Sequence, residues 1–253
     1  MSSDLGVLVC GDLRTVDVGE DSELAKIFTH LQTMIDRILG ELGWLGTQLP
    51  ERIAMYGPFL GRSLLELGLT ALIGRIDPTR LLVVKRTQEH GDYSANKPWN
   101  SAIRWQGDVL AKKVTDLWSP DTAYKDMTKA LFGDYYVELF WIPCMKKLAD
   151  LEVDGGAWLA ELKAMTAPGF CRQRRELVGQ LYSFASKGIH SEFVVPPGSL
   201  YDHATITNQI TKIAQTLAEL GLLINMIPHA LYKLGPDEAF ASFNRVEQDE
   251  IIA

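Results

Sequence analysis

Cysteine is scarce. Cys10, Cys144 and Cys171 are the only three in 253 residues, and no two stand at CxxC spacing. A structural zinc site draws on paired Cys or His ligands, so this set argues against one, and an odd, scattered group of thiols fits a reducing compartment. Long apolar runs are also missing, and no uninterrupted segment reaches the ~20 residues that span a bilayer. The opening MSSDLGVLVC sets Asp4 before a short apolar stretch, without the basic start and longer apolar core of a secretory signal. A cytoplasmic protein with no membrane partner is the expectation. Excess positive charge is lacking too: the formal net charge is −7. That argues against a strongly basic protein that coats nucleic acid, while leaving room for a segregated basic site. GxxxxGK[ST], GxGxxG after a strand, HExxH and GxSxG do not occur. Carboxylates are plentiful but do not form the paired motifs of a di-iron bundle. No metal and no cofactor are expected.

Helical period fills most of the chain. Hydrophobic residues make up 47% of it, enough for a large core. Leu24, Ile27, Leu31, Met34 and Ile38 recur at three and four residues, as core positions of a helix do. Pro58 is read as the opening of a further helix, PFLGRSLLELGLTALIGRI, which is apolar around much of its circumference and therefore central. Asp77-Pro78 breaks it, and Pro78 suits the first turn of the next helix. Asp77 with Arg75 and Arg80 reads as a turn with flanking surface charges. Pro143, inside VELFWIPCM, predicts a kink or break. Ile206, Ile210, Ile213, Leu217, Leu220, Ile224 and Ile227 form a heptad-like seam. The seam serves either the core or an interface; Thr211, Lys212, Gln215 and Glu219 on the other side read as a solvated face. The expected fold is all-α, an antiparallel helical bundle with additional helices. Residues 1–20 are taken as a tail or a short β-hairpin around Gly11, and residues 21–253 as one helical domain with an irregular loop at 91–106.

Two groups of residues are candidates for function. On a helix through residues 176–190, Glu176, Gln180, Ser183, Lys187 and His190 fall on one stripe beside the core-facing Leu177, Leu181 and Phe184. His190 suits acid–base work near neutral pH, and Lys187 suits a phosphate contact. Arg172, Arg174 and Arg175 make the start of the same helix basic and are candidates for RNA or phosphate contact. The plainer account is a solvated face with a histidine favoured by the helix C-terminus. The second group, Trp99, Arg104 and Trp105 in the irregular loop, suits a partner surface; alternatively its rings pin the loop to the body.

LYSFASKGIHSEF, Leu181 to Phe193, resembles the terminal signature of HEPN-like helical proteins, in which a helix ends in a short polar motif with histidine. The resemblance spans residues 120–235. It implies a helical bundle, and either a metal-independent ribonuclease of a toxin or antiviral system acting as a dimer, or an inactive binding or assembly module. The active pattern has arginine, four to six residues, then histidine; before His190 those positions hold Ser183, Phe184 and Ala185. The fold is therefore carried over and the nuclease chemistry is not. A non-catalytic subunit with a protein partner is the expectation, with a homodimer or RNA as further partners. A ribonuclease with a rearranged site, using His190 and Lys187, is the alternative.

Overall fold

The computed structural model describes residues 3–15, 23–91, 93–94, 101–107, 131–153, 156–187 and 202–248. Among them the fold is all-α. The helices are α1 (Asp4–Cys10), α2 (Glu23–Gly46), α3 (Pro50–Ile76), α4 (Pro78–Glu89), α5 (Ile142–Ala149), α6 (Gly156–Ala164), α7 (Ala167–Lys187), α8 (His203–Ile224) and α9 (Pro236–Gln248). No described helix is long and apolar enough to cross a membrane.

The expected N-terminal hairpin is replaced by α1. Ser3 caps it, its hydroxyl accepting from the Gly6 amide at 2.9 Å, and Asp4 lies in the first turn, where the helix dipole favours a carboxylate. The alternation that suggested a strand is overridden by burial of Leu5, Leu8, Val9 and Cys10 in the common core. Ser3 also donates through its amide to Asp36 of α2 at 3.0 Å, and Arg245 of α9 meets Asp4. α1 is thus part of the main body.

The central helix is α3, which packs on α1, α2, α4, α7 and α8. It begins at Pro50, so Pro58 lies inside the helix rather than opening it. Its core face is built for close approach: Cβ atoms at Gly57 and Gly68 would stand 2.6 Å from Ile206 and 2.7 Å from Leu217. Those pairings advance together along both helices, so α3 and α8 run parallel, while the three-residue link Thr47–Leu49 makes α2 antiparallel to α3. The seam on α8 is core: Ile206, Ile210, Ile213, Leu217, Leu220, Ile224 and Ile227 are all buried. Its opposite face is not uniformly solvated. Every residue from Thr216 to Ile224 is buried, Glu219 included.

A π-helical stretch, Val137–Trp141, precedes α5, and Pro143 sits in the first turn of α5. The expected break therefore takes the form of a change in helix type, a usual response to a lost amide donor. Trp141 is fully buried there and donates its indole N–H to the Leu131 carbonyl at 3.0 Å.

All three cysteines are buried, and burial pushes their thiols up to about 12. The thiolate is the reactive form, so native protein should label slowly with a disulfide reagent at pH 8 and completely once unfolded. Fast labelling of all three without denaturant would contradict this packing. A folded-state thiol pKa raised in this way holds stability below the ordinary thiol range, and that stability is lost as pH climbs towards 12.

Candidate functional site

Side by side on α2 run two apolar stripes. Ala25, Phe28, Ile35, Leu42 and Leu45 face the core. Ile27, Leu31, Met34 and Ile38, most of the stripe read from the sequence as core, also line a cleft, and of these Leu31 and Ile38 are buried in the core as expected. Ile27 and Met34 are only partly buried. The cleft has a volume of about 950 Å³, bounded by α2, α3, α4, residues 101–106 and Tyr182 of α7. This lies within the size range of small-molecule sites.

Three hydrogen bonds hold the 101–107 wall in place. Gln88 of α4 donates to the Ser101 carbonyl at 3.1 Å, Thr70 of α3 reaches the Ile103 carbonyl at 3.5 Å, and the Leu131 amide donates to the Trp105 carbonyl at 3.0 Å. The ring of Trp105 reaches α7 near Gly179, where an added Cβ would stand 3.8 Å away. The part of the loop that the structure describes is therefore pinned to the body.

The charged groups of the cleft are mostly cationic. Arg62 pairs with Glu66 at 3.0 Å and donates to the Tyr182 hydroxyl at 2.8 Å. Lys85 bonds Glu89 and lies 3.7 Å from Glu23. Lys26 and Arg104 also line the cleft, with no carboxylate partner among the described residues. Two donors in the wall lack acceptors among the described residues: the Ser101 hydroxyl and the Trp105 indole N–H. Ser101 is fully buried. A buried donor left unmet costs about 1–3 kcal/mol, which makes this wall the unusual part of the cleft.

The residues anticipated from the sequence do not assemble into one site. Arg104 and Trp105 line the cleft, whereas Trp99 and His190 lie outside the described residues. Lys187 is exposed at the C-terminal end of α7, where Glu176, Gly179, Gln180, Ser183 and Phe184 form a shallow depression with it. Of the three arginines, Arg172 and Arg175 are exposed. Arg174 is held by Glu219, with Nη2 to Oε2 at 2.8 Å, its guanidinium 5.2 Å from the Phe170 ring centroid. Arg175 donates to the Phe132 carbonyl. Arg174 and Lys187 stand thirteen positions apart on one helix, about 20 Å, so they cannot grip one phosphate within a chain.

Arg75 and Arg80 are buried rather than surface charges. Arg80 donates to the Tyr136 hydroxyl at 3.0 Å, and that hydroxyl donates to Asp77 at 2.8 Å. Burial first, and then Asp77, holds the Tyr136 phenol above its ordinary range, so it remains a donor.

Sequence reasoning missed Lys26, Arg62, Ser101 and Tyr182. Arg62 and Glu66 carry the only local signal, a charge pair at i, i+4. Among the described residues no group of three or more His, Cys, Asp or Glu side chains stands close enough to hold a metal ion. Comparison with protein-family models, with curated proteins and with solved structures returned no match.

Proposed function

We propose that the chain is a non-catalytic HEPN-like helical protein that serves as a binding or assembly subunit, in a host-defence or toxin-type system. That setting rests on the resemblance of LYSFASKGIHSEF alone. The observation that carries the binding role is an exposed apolar corner where α2 meets α3. Trp44, Leu49, Met55, Tyr56 and Phe59 are all exposed, Leu49 at 68% and Met55 at 67%. Met55, Tyr56 and Phe59 lie opposite the buried Ile53, Gly57 and Gly61 on α3, so this end of the helix is apolar on both sides. Scattered apolar residues on a surface need no explanation, but a grouped set of large ones marks a contact surface. The partner it suits is a protein with an apolar face of its own.

Leu49→Glu combined with Met55→Glu is the test, since both side chains face solvent and the core is left untouched. Protein that co-purifies with the native chain is expected to be lost with this variant, while the melting temperature stays within about 2 °C. Retention of the same partner would remove the corner from the interface.

The second reading is a metal-independent ribonuclease, with His190 as acid or base and Lys187 as a phosphate contact. The depression beside Lys187 supports it; the missing arginine and the structural engagement of Arg174 count against it. RNA cleavage in chelator that vanishes in His190→Ala would replace the binding role with this one.

A further inference from the structure

We infer that the cleft between α2, α3 and α4 is a binding site for a small amphipathic anion, an apolar chain or ring system ending in a carboxylate or similar oxyanion. Three independent features lead there. The first is the apolar lining from α2, where the partly buried Ile27 and Met34 stand over the buried Leu31 and Ile38 along one side of the cleft. Apolar surface kept in a cavity of about 950 Å³ gains by receiving an apolar body.

Charge is the second feature. The chain carries a formal net charge of −7, yet among the described residues the cleft is lined by Lys26, Arg62, Lys85 and Arg104 against one carboxylate, Glu66. Glu66 is taken up by Arg62, and Lys85 by Glu89 and Glu23. Lys26 and Arg104 have no carboxylate partner among the described residues, and their charge is opposite in sign to that of the chain as a whole. That selects against neutral and cationic guests.

The third feature fixes the polarity of the guest. Ser101 and Trp105 flank Arg104 within one short segment, and each holds a donor with no acceptor among the described residues. Ser101 is fully buried, so its hydroxyl is shielded from bulk solvent. A guest oxyanion that bonds Arg104, with small shifts of the Ser101 hydroxyl and the indole N–H toward it, supplies the missing acceptors. Its apolar body then lies along the α2 stripe. The guest is a free small molecule: the cleft size and the position of the donors in one wall suit a single head group with a short tail.

This inference is independent of the α2–α3 corner, and the variants are chosen to leave Leu49 and Met55 in place. Dodecanoate is the probe, with dodecanol as a neutral comparator of equal chain length, below their micellar and solubility limits. Binding is followed by calorimetry. Dodecanoate is expected to bind with an affinity that falls as salt is raised, and dodecanol to bind about tenfold more weakly or worse. Arg104→Glu should weaken dodecanoate about tenfold and leave dodecanol unchanged. Arg104 is exposed, so the variant should fold; Met34→Trp, which fills the cleft from a partly exposed position, should abolish binding of both. Equal affinities for the two probes, no response to Arg104→Glu, or no binding of dodecanoate by folded protein would each overturn the assignment. Binding that survives Met34→Trp would place the guest elsewhere and overturn it equally.

Discussion

Arg75→Met should lower stability by roughly 3–5 kcal/mol, the cost of leaving buried polar groups without their charged partner. Arg75 is fully buried and has no carboxylate among its hydrogen-bond partners. It donates to the Leu8 carbonyl at 2.8 Å, to the Leu231 carbonyl at 3.0 Å and to Asn225 Oδ1 at 2.7 Å. Leu8 lies in the last turn of α1, where carbonyls lack an amide partner within the helix and where the dipole favours a cation. Asn225, just past α8, also accepts from the Leu234 amide at 3.0 Å, so the arginine and that amide hold one oxygen between them. One guanidinium thus joins the ends of α1, α3 and α8 and the segment before α9.

Two opposing terms decide the sign. Burial disfavours the charged form and pulls the guanidinium down to about 10, so it stays charged at neutral pH at a desolvation cost. Methionine removes that cost and fills similar space. It leaves the Leu8 and Leu231 carbonyls buried without this donor, and these belong to the backbone and cannot be exchanged for apolar groups. The carbonyls win because each unmet acceptor costs about 1–3 kcal/mol. Total stabilities of about 5–15 kcal/mol make this a large fraction, read as a fall of roughly 10 °C in the circular-dichroism melting midpoint. An unchanged midpoint would mean that α1 is not held by this arginine. Gly221 adds a geometric check on the same junction, since a Cβ there would stand 2.7 Å from the Leu8 carbonyl oxygen.

Arg174→Met comes second, with an expected loss of about 3–5 kcal/mol, because it strands Glu219 in the interior. The side chains of Arg174 and Glu219 are only 12% and 9% exposed. Glu219 also accepts from the indole N–H of Trp158 at 3.1 Å, and that ring stacks on Phe243. The pair therefore ties α7 to α8 and reaches α6 and α9 through the tryptophan. Adding Glu219→Leu should recover most of the loss, since a buried ion pair replaced whole by apolar side chains is often nearly neutral. Recovery stays incomplete because Trp158 has lost its acceptor. Chemical denaturation of the two single variants and the double variant measures the coupling. If Arg174→Met left stability untouched but weakened RNA binding, the phosphate role read from its sequence position would stand and the structural one would fall.

The comparison between residue pattern and fold turns on range. Helix existence was open to sequence reasoning because periodicity, prolines and turn residues act over a few positions: α4 starts at Pro78, and the helix type changes before Pro143. The α8 seam was visible for the same reason, and so was the central place of an all-round apolar α3. Short segments misled. The alternation in DLGVLVC suits a strand, and only the cap of Ser3 and the burial of Leu5, Leu8 and Val9 made it a helix.

Sequence by itself determined that this chain is a helical bundle, where most of its helices lie and which faces are apolar, since those follow from contiguous residues. Tertiary structure alone decided what each face meets. Ile27 and Met34 of α2 stay partly exposed at a cleft, while Leu31 and Ile38 beside them are buried, because α3 and α4 close over part of that stripe only. Arg75, Arg80 and Glu219, which a linear reading places at the surface, are internal because residues up to 156 positions away supply their partners. Arg104 becomes part of a binding wall only when α2, α3 and α4 stand opposite it. Burial and charge pairing are properties of assembled neighbours, and the chain encodes them only through the fold it completes.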